Sequence, residues 1–109
     1  MFNIFRKSKI KQINGKDVIE FIKNEKDLVI IDIRTSMEFM QGSINNSKNI
    51  DFYHPSFLSE VKKLDKNRKY LIYCASGGRS KAACGLLESL NFHYIYELKG
   101  GFSSYINHN

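Results

Sequence analysis

"YLIYCASGGRSKAACGLLESL", Tyr70 to Leu90, changes character twice within twenty-one residues. Tyr70 to Tyr73 form a short, continuous apolar run, the pattern of a strand covered on both faces in a parallel sheet. Cys74 closes that run. Ala75, Ser76, Gly77 and Gly78 are small enough for a tight turn, and from Arg79 the apolar residues return at helical spacing. Ala82, Ala83, Leu86, Leu87 and Leu90 are expected to point inward, with Asn91 as the stop. A strand, a glycine turn and a helix make one βα unit, and the remaining question is whether the chain repeats it.

It does. "LVIIDI" at Leu28–Ile33 is a second β-branched run bounded by charge, and "YIYEL" at Tyr94–Leu98 is a third. "KIKQI" at Lys9–Ile13 and "SKNID" at Ser47–Asp51 are weaker strand candidates. Between them, "GKDVIEFIKN" lines up Val18, Ile19, Phe21 and Ile22 on one face of a helix. "TSMEFMQG" has Thr35 or Ser36 as N-cap, Glu38 in the first turn and Gly42 at the end, enough for one or two helical turns. "PSFLSEVKKL" has Pro55 suited to a first helical position and Phe57, Leu58, Val61 and Leu64 for the core. Strands alternating with helices predict an α/β fold, a small parallel five-stranded sheet flanked by helices on both faces. Chemistry in such sheets lies beyond the carboxyl ends of the strands, which is where Cys74 falls.

The 109 residues suit one compact domain, and a composition 42% hydrophobic and 26% charged is that of a globular chain. The expected division is a flexible basic N-terminal segment at residues 1–9 and a single domain at 10–109. A net charge of +6 favours anionic partners, but the Lys and Arg residues are scattered, so a solvated basic surface is expected and no nucleic-acid binding. The N-terminal Arg6-Lys7-Ser8-Lys9 cluster lacks the apolar stretch of a secretory signal, and no segment approaches the length of a membrane span. A cytoplasmic protein is the expectation. Two cysteines without C-x-x-C spacing exclude a disulfide scaffold and a zinc knuckle, and His54, His93 and His108 show no metal spacing. No metal site and no cofactor are expected.

The loop itself can activate a thiol. The small residues Ala75 to Gly78 let backbone N–H groups converge on one point, and the helix start beyond them adds its positive end. Arg79 and Lys81 supply cations, and such surroundings lower a cysteine pKa by one to several units. Cys74 is therefore expected to be a thiolate nucleophile, with Ala75, Ser76, Gly77, Gly78, Arg79 and Ser80 forming the anion-binding loop. Asp32 and Arg34 follow a buried strand and are expected to support the site. Asp32 would accept hydrogen bonds from loop amides, and Arg34 would pair with Glu38 four residues on. Cys84, one turn and a half into the helix, is expected to be a packing residue rather than a disulfide partner for Cys74.

"CASGGRS" resembles the active-site loop of the rhodanese family, C-x-S-G-x-R-S, at Cys74, Ser76, Gly77, Arg79 and Ser80. "IIDIRTSMEFMQGSI" is similar to that family's D-x-R-x-x-x-E-F-x-x-G-H-I segment at Asp32, Arg34, Glu38, Phe39, Gly42 and Ile44. "ELKGGFSSY" resembles its closing L-x-G-G segment at Leu98, Gly100 and Gly101, with Tyr105 as the following aromatic. Ser43 stands where the family usually has His, and Tyr105 where it commonly has Trp. Both positions read as architectural. The three islands span about residues 28 to 105 in family order.

The resemblance implies a rhodanese-like fold and sulfurtransferase chemistry. A sulfane sulfur would move from a donor such as thiosulfate or a persulfide onto Cys74, and then to a thiol or protein acceptor. Two alternatives stay open: a sulfur-relay or binding module that does not turn over, and a cysteine-dependent phosphatase or arsenate reductase. The latter enzymes place five residues between cysteine and arginine, whereas four separate Cys74 from Arg79. The shorter loop suits a sulfur atom better than a phosphoryl group.

Overall fold

The computed structural model describes residues 8–109. Five strands, β1 (Ile10–Asn14), β2 (Leu28–Asp32), β3 (Ser47–Asn49), β4 (Lys69–Tyr73) and β5 (Tyr94–Lys99), form one sheet in the order β1-β5-β4-β2-β3. Every neighbouring pair is parallel. The three apolar runs of the sequence occupy the sheet centre and the two weaker candidates its edges. That is the order expected when only central strands are buried on both faces. The register pairs Ile31 with Ile72, Asp32 with Tyr73 and Ile72 with Glu97, so the carboxyl ends of β2, β4 and β5 lie side by side.

Alternation along the strands divides the core into two layers. Ile31, Ile33, Ile72, Cys74 and Ile95 face α3 (Phe57–Lys62) and α4 (Gly78–Ser89), meeting Phe57, Val61, Ala83, Cys84 and Leu87. Ile30, Leu71, Tyr73 and Leu98 face the opposite way. They meet Val18 and, half-buried, Ile19, Phe21 and Ile22 of α1 (Val18–Asn24), together with Phe102 and Tyr105 of α5 (Gly101–His108). The remaining helix, α2 (Ser36–Met40), follows β2 and carries a full capping box between Thr35 and Glu38.

Several sequence expectations need correction. Pro55 lies outside α3, whose N-cap is Ser56, and Leu58 is 43% exposed while Phe57 and Val61 carry the contact. Ala82 faces solvent. Ala83 and Leu87 face inward as expected, with Leu86 and Leu90 half-buried against the same core, and Ser80 and Cys84 complete the inner stripe of α4. α5 was not anticipated at all. Asn91 does end α4, in a left-handed conformation at φ 67°. Of the basic segment expected at residues 1–9, residues 1–7 lie outside the described ones. Ser8 Oγ and the Lys9 amide both donate to Glu88 Oε2. Among the described residues, no helix is long and apolar enough to cross a membrane.

Candidate active site

β4 ends at Tyr73, and Cys74 leaves the sheet at its carboxyl edge with 1% of its surface exposed. The chain then curls back. Gly77 adopts φ 119°, a conformation glycine reaches without strain, and this turns its amide onto the thiol. The Gly77 N–H lies 3.1 Å from Cys74 Sγ and the Ser80 N–H 3.3 Å. The Ser80 hydroxyl lies 3.5 Å from the same sulfur. Sγ therefore sits at the focus of a loop that opens with β4 and closes in the first turn of α4.

Burial pushes the Cys74 thiol up, as for any buried anion. The Ser80 hydroxyl and the amides of Ser80, Gly77 and Ser76 outweigh it, and the net pKa is below the ordinary cysteine value. The loop amides thus do the work that the sequence divided between amides and cations. Arg79 is otherwise engaged: its guanidinium makes a two-pronged pair with Glu38, Nη1 to Oε1 at 2.9 Å and Nη2 to Oε2 at 3.1 Å. That pair, seconded by the Thr35 amide and hydroxyl, holds the Glu38 carboxyl at about 2 against the cost of its partial burial. Lys81 is exposed on α4.

Asp32, Arg34 and Glu38 are all paired, but not with the expected partners. Arg34 pairs with Asp32, two residues away, and not with Glu38. Its Nη2 lies 2.7 Å from Oδ2, and its Nε is 3.0 Å from each carboxylate oxygen. Asp32 accepts from the Arg34 amide at 2.9 Å rather than from the loop after β4. The reason is direction: Asp32 is the last residue of β2 and points to the α5 side, away from Cys74, as its partner Tyr73 does. The guanidinium is sandwiched there, 4.3 Å from the Phe102 ring and 5.7 Å from that of Tyr73, and Nη2 also donates to the Gly42 carbonyl. Burial would lower the Arg34 pKa, but Asp32 more than compensates. Removing either partner alone would strand a buried charge, at a cost of about 3–5 kcal/mol.

The closing segment positions the loop from behind. The Phe102 amide donates to the Cys74 carbonyl at 2.8 Å and the Ser103 amide to the Ala75 carbonyl at 3.0 Å. This approach requires glycine at 101, where a Cβ would stand 2.5 Å from the Cys74 carbonyl oxygen and φ is +63°. Above the loop, Phe52, Tyr53, Ser76, Gly78, Arg79 and Ala82 line a surface depression of about 350 Å³. Tyr53 is exposed and lies 5.8 Å from the Arg79 guanidinium.

Cys84 is fully buried, and burial, reinforced by Glu97, pushes its thiol well above the ordinary range. No disulfide joins it to Cys74, as the sequence led us to expect. Sequence reasoning missed Glu97. It lies in β5 with 4% of its surface exposed, and its Oε2 accepts from the Ser80 hydroxyl at 2.8 Å. The available signal was a glutamate inside an apolar parallel strand, "YIYEL", where burial demands a partner.

The description "Rhodanese-like domain" matches residues 15–108. A protein named sulfurtransferase from Allochromatium vinosum is 29% identical over 100 residues, 91% of each chain. A tRNA uridine(34) hydroxylase from Aster yellows witches'-broom phytoplasma is 33% identical over 82% of this chain, which spans only 31% of that protein. Among solved structures, a rhodanese-related protein from Thermoplasma volcanium superposes with a TM-score of 0.76 at 34% identity, covering 89% of this chain and 91% of the other. A rhodanese-like domain protein from Staphylococcus aureus gives 0.76 at 27%, covering 87% and 90%. The family match runs from the end of β1 through α5 and so takes in β2, β4, α4 and α5, the elements that place Cys74; the chain belongs to the rhodanese-like domain family.

Proposed function

We propose that the protein is a sulfurtransferase in which Cys74 carries the sulfur. The observation behind this reading is the convergence of the Gly77 and Ser80 amides on Cys74 Sγ, with the thiol pKa lowered. The Cys74 thiolate attacks the outer sulfur of a donor such as thiosulfate or a persulfide. The Sγ–S bond forms, and the bond to the rest of the donor breaks with its electron pair on the leaving group. The outer sulfur of the resulting persulfide is anionic, and the loop amides stabilise it as oxyanion donors stabilise oxygen. A thiol or cyanide then takes that sulfur and regenerates Cys74. In this scheme a small anionic donor approaches across the depression lined by Ser76, Gly78 and Arg79, and the two displacements use no cofactor.

Similarity to a protein named sulfurtransferase over nearly the full length supports turnover. The second reading is a module that is loaded with sulfur and relays it without turnover; the match to only 31% of a tRNA uridine(34) hydroxylase fits this domain also occurring as one part of a longer protein. The deciding measurement is transfer from thiosulfate to cyanide and to a thiol, with mass analysis of the protein, on wild type and Cys74→Ser. Turnover, together with one added sulfur on Cys74 in the absence of acceptor, is the expected result. Loading without turnover would favour the relay. Wild-type transfer rates in Cys74→Ser would overturn the scheme, and release of phosphate from an aryl phosphate would replace it with phosphatase chemistry.

A further inference from the structure

Ser80 has one hydroxyl hydrogen, two oxygen acceptors for it, and a sulfur neighbour that donates to Oγ as a thiol and can only accept as a thiolate. Glu97 Oε2 lies 2.8 Å from Oγ, the Gly77 carbonyl 3.2 Å and Cys74 Sγ 3.5 Å. When Glu97 is ionised, it takes that hydrogen, and the Ser80 oxygen faces the sulfur with a lone pair that only a protonated thiol can satisfy. When Glu97 is protonated, it donates to Oγ and frees the hydroxyl hydrogen for a thiolate, and this is the arrangement in which the Ser80 hydroxyl makes the thiol more acid. Among the described residues no ion pair includes Glu97, and its other oxygen accepts from the neutral Gln12 amide at 3.1 Å. Glu97, Ser80 and Cys74 are all buried, and two negative charges this close in such a place disfavour each other.

We infer that Glu97 is a positioning residue that holds one proton in common with Cys74 through the Ser80 hydroxyl. The inference deepens the proposed sulfur transfer and rests on it for its role. At rest, the thiol donates to Ser80 and Ser80 to the Glu97 carboxylate. On activation the thiol proton passes to Ser80 Oγ as the Ser80 hydrogen passes to Glu97, leaving a thiolate and a carboxylic acid with no change in net charge. The thiolate attacks the donor sulfur. In the second displacement the acceptor thiolate takes the outer sulfur, Sγ departs with the electron pair of the broken S–S bond, and Glu97 returns the proton by the same path. The other groups facing this trio are Cys84, Lys81 and Arg79 of α4, Gln12 of β1 and, farther along α4, Glu88. Lys81 lines the same cavity as Glu97 but sits at its solvent edge, and Arg79 is paired with Glu38.

The test is the ultraviolet thiolate absorbance of Cys74, titrated against pH in the full chain, with no sulfur donor present. Failure of sulfur transfer and failure of this inference are therefore read separately. Wild type should gain thiolate in two steps, the signature of a shared proton. In Glu97→Gln, where the amide donates to Ser80, a single step should remain, about one pH unit more acid than the upper wild-type step, with alkylation at neutral pH about tenfold faster. In a Ser80→Ala background the same substitution should move the titration by much less. Gln12→Ala, at the exposed sheet edge, should weaken the Glu97 carboxylate and shift thiolate formation in the same direction, which covers the case in which Glu97→Gln does not fold. A single-step wild-type titration, an unshifted Glu97→Gln, an equal shift without the Ser80 hydroxyl, or an unshifted Gln12→Ala would each overturn the proposal.

Discussion

Glu38 accepts hydrogen bonds from four donors on two elements: the Thr35 amide and hydroxyl, and both terminal nitrogens of Arg79. One carboxylate thus caps α2 and ties it to the first turn of α4. Arg79, the cation that the sequence offers to an anionic donor, spends its charge on this tie. Glu38→Gln should release it and raise the apparent affinity for thiosulfate, while the loss of a partly exposed pair should cost about 1 kcal/mol of stability. The pH dependence has a definite sign. The folded pKa, about 2, lies below the ordinary 4.5, so the stabilisation is complete above about 4.5 and is lost as pH falls through about 2. Urea unfolding of wild type and Glu38→Gln at a series of pH values should show a gap that closes over that window. A gap that persists unchanged to the acid end would assign the stabilisation to the cap geometry instead.

At the scale of elements, the short helix α5 does more for the site than its length suggests, because its first amides hold the carbonyls of Cys74 and Ala75. Gly101→Ala would set a Cβ 2.5 Å from the Cys74 carbonyl oxygen in a backbone conformation that itself costs an L-residue about 1–2 kcal/mol. The melting temperature should fall and sulfur transfer should fall with it, since the loop has to move. Gly85→Ala, in the exposed middle of α4 with open space around it, should do the reverse and gain about 1 kcal/mol. Equal effects at the two glycines would show that α5 does not position the loop. The same elements mark what the sequence could convey. β2, β4 and β5 were legible because burial on both faces writes continuous apolar runs, and the Cys74 loop because small residues there have few other uses. α5 was not, because "GFSSYINH" follows a glycine pair and is only two turns long, which masks the helical spacing of Phe102, Tyr105 and Ile106. The partner exchange among Asp32, Arg34, Glu38 and Arg79 was also hidden: spacing along one helix suggests neighbours, but the strand end aims Asp32 and Arg34 to one face of the sheet and leaves Glu38 for the other.

Across the whole molecule, the two cysteines report on different depths of one structure. Cys74 lies at the carboxyl edge of the sheet beneath an open depression, with its thiol made more acid than usual. Cys84 lies on the inner stripe of α4, fully buried among Ile72, Ile95 and Phe92, with its thiol made much less acid. Cys84 borders the cavity shared with Lys81 and Glu97 but has no surface open to solvent, so a reagent reaches its sulfur only when α4 moves away from β4 and β5. Alkylation of the native protein followed by mass analysis should therefore give a single adduct, on Cys74. The second adduct should appear only as urea is added, with a rate that rises as steeply with urea as the equilibrium unfolding transition requires. A shallow dependence would mean that α4 opens locally while the sheet persists. In that event the amides of Gly77 and Ser80 would be released from Sγ in the same motion, and the acidity of Cys74 would belong to a fluctuating loop rather than to the fold.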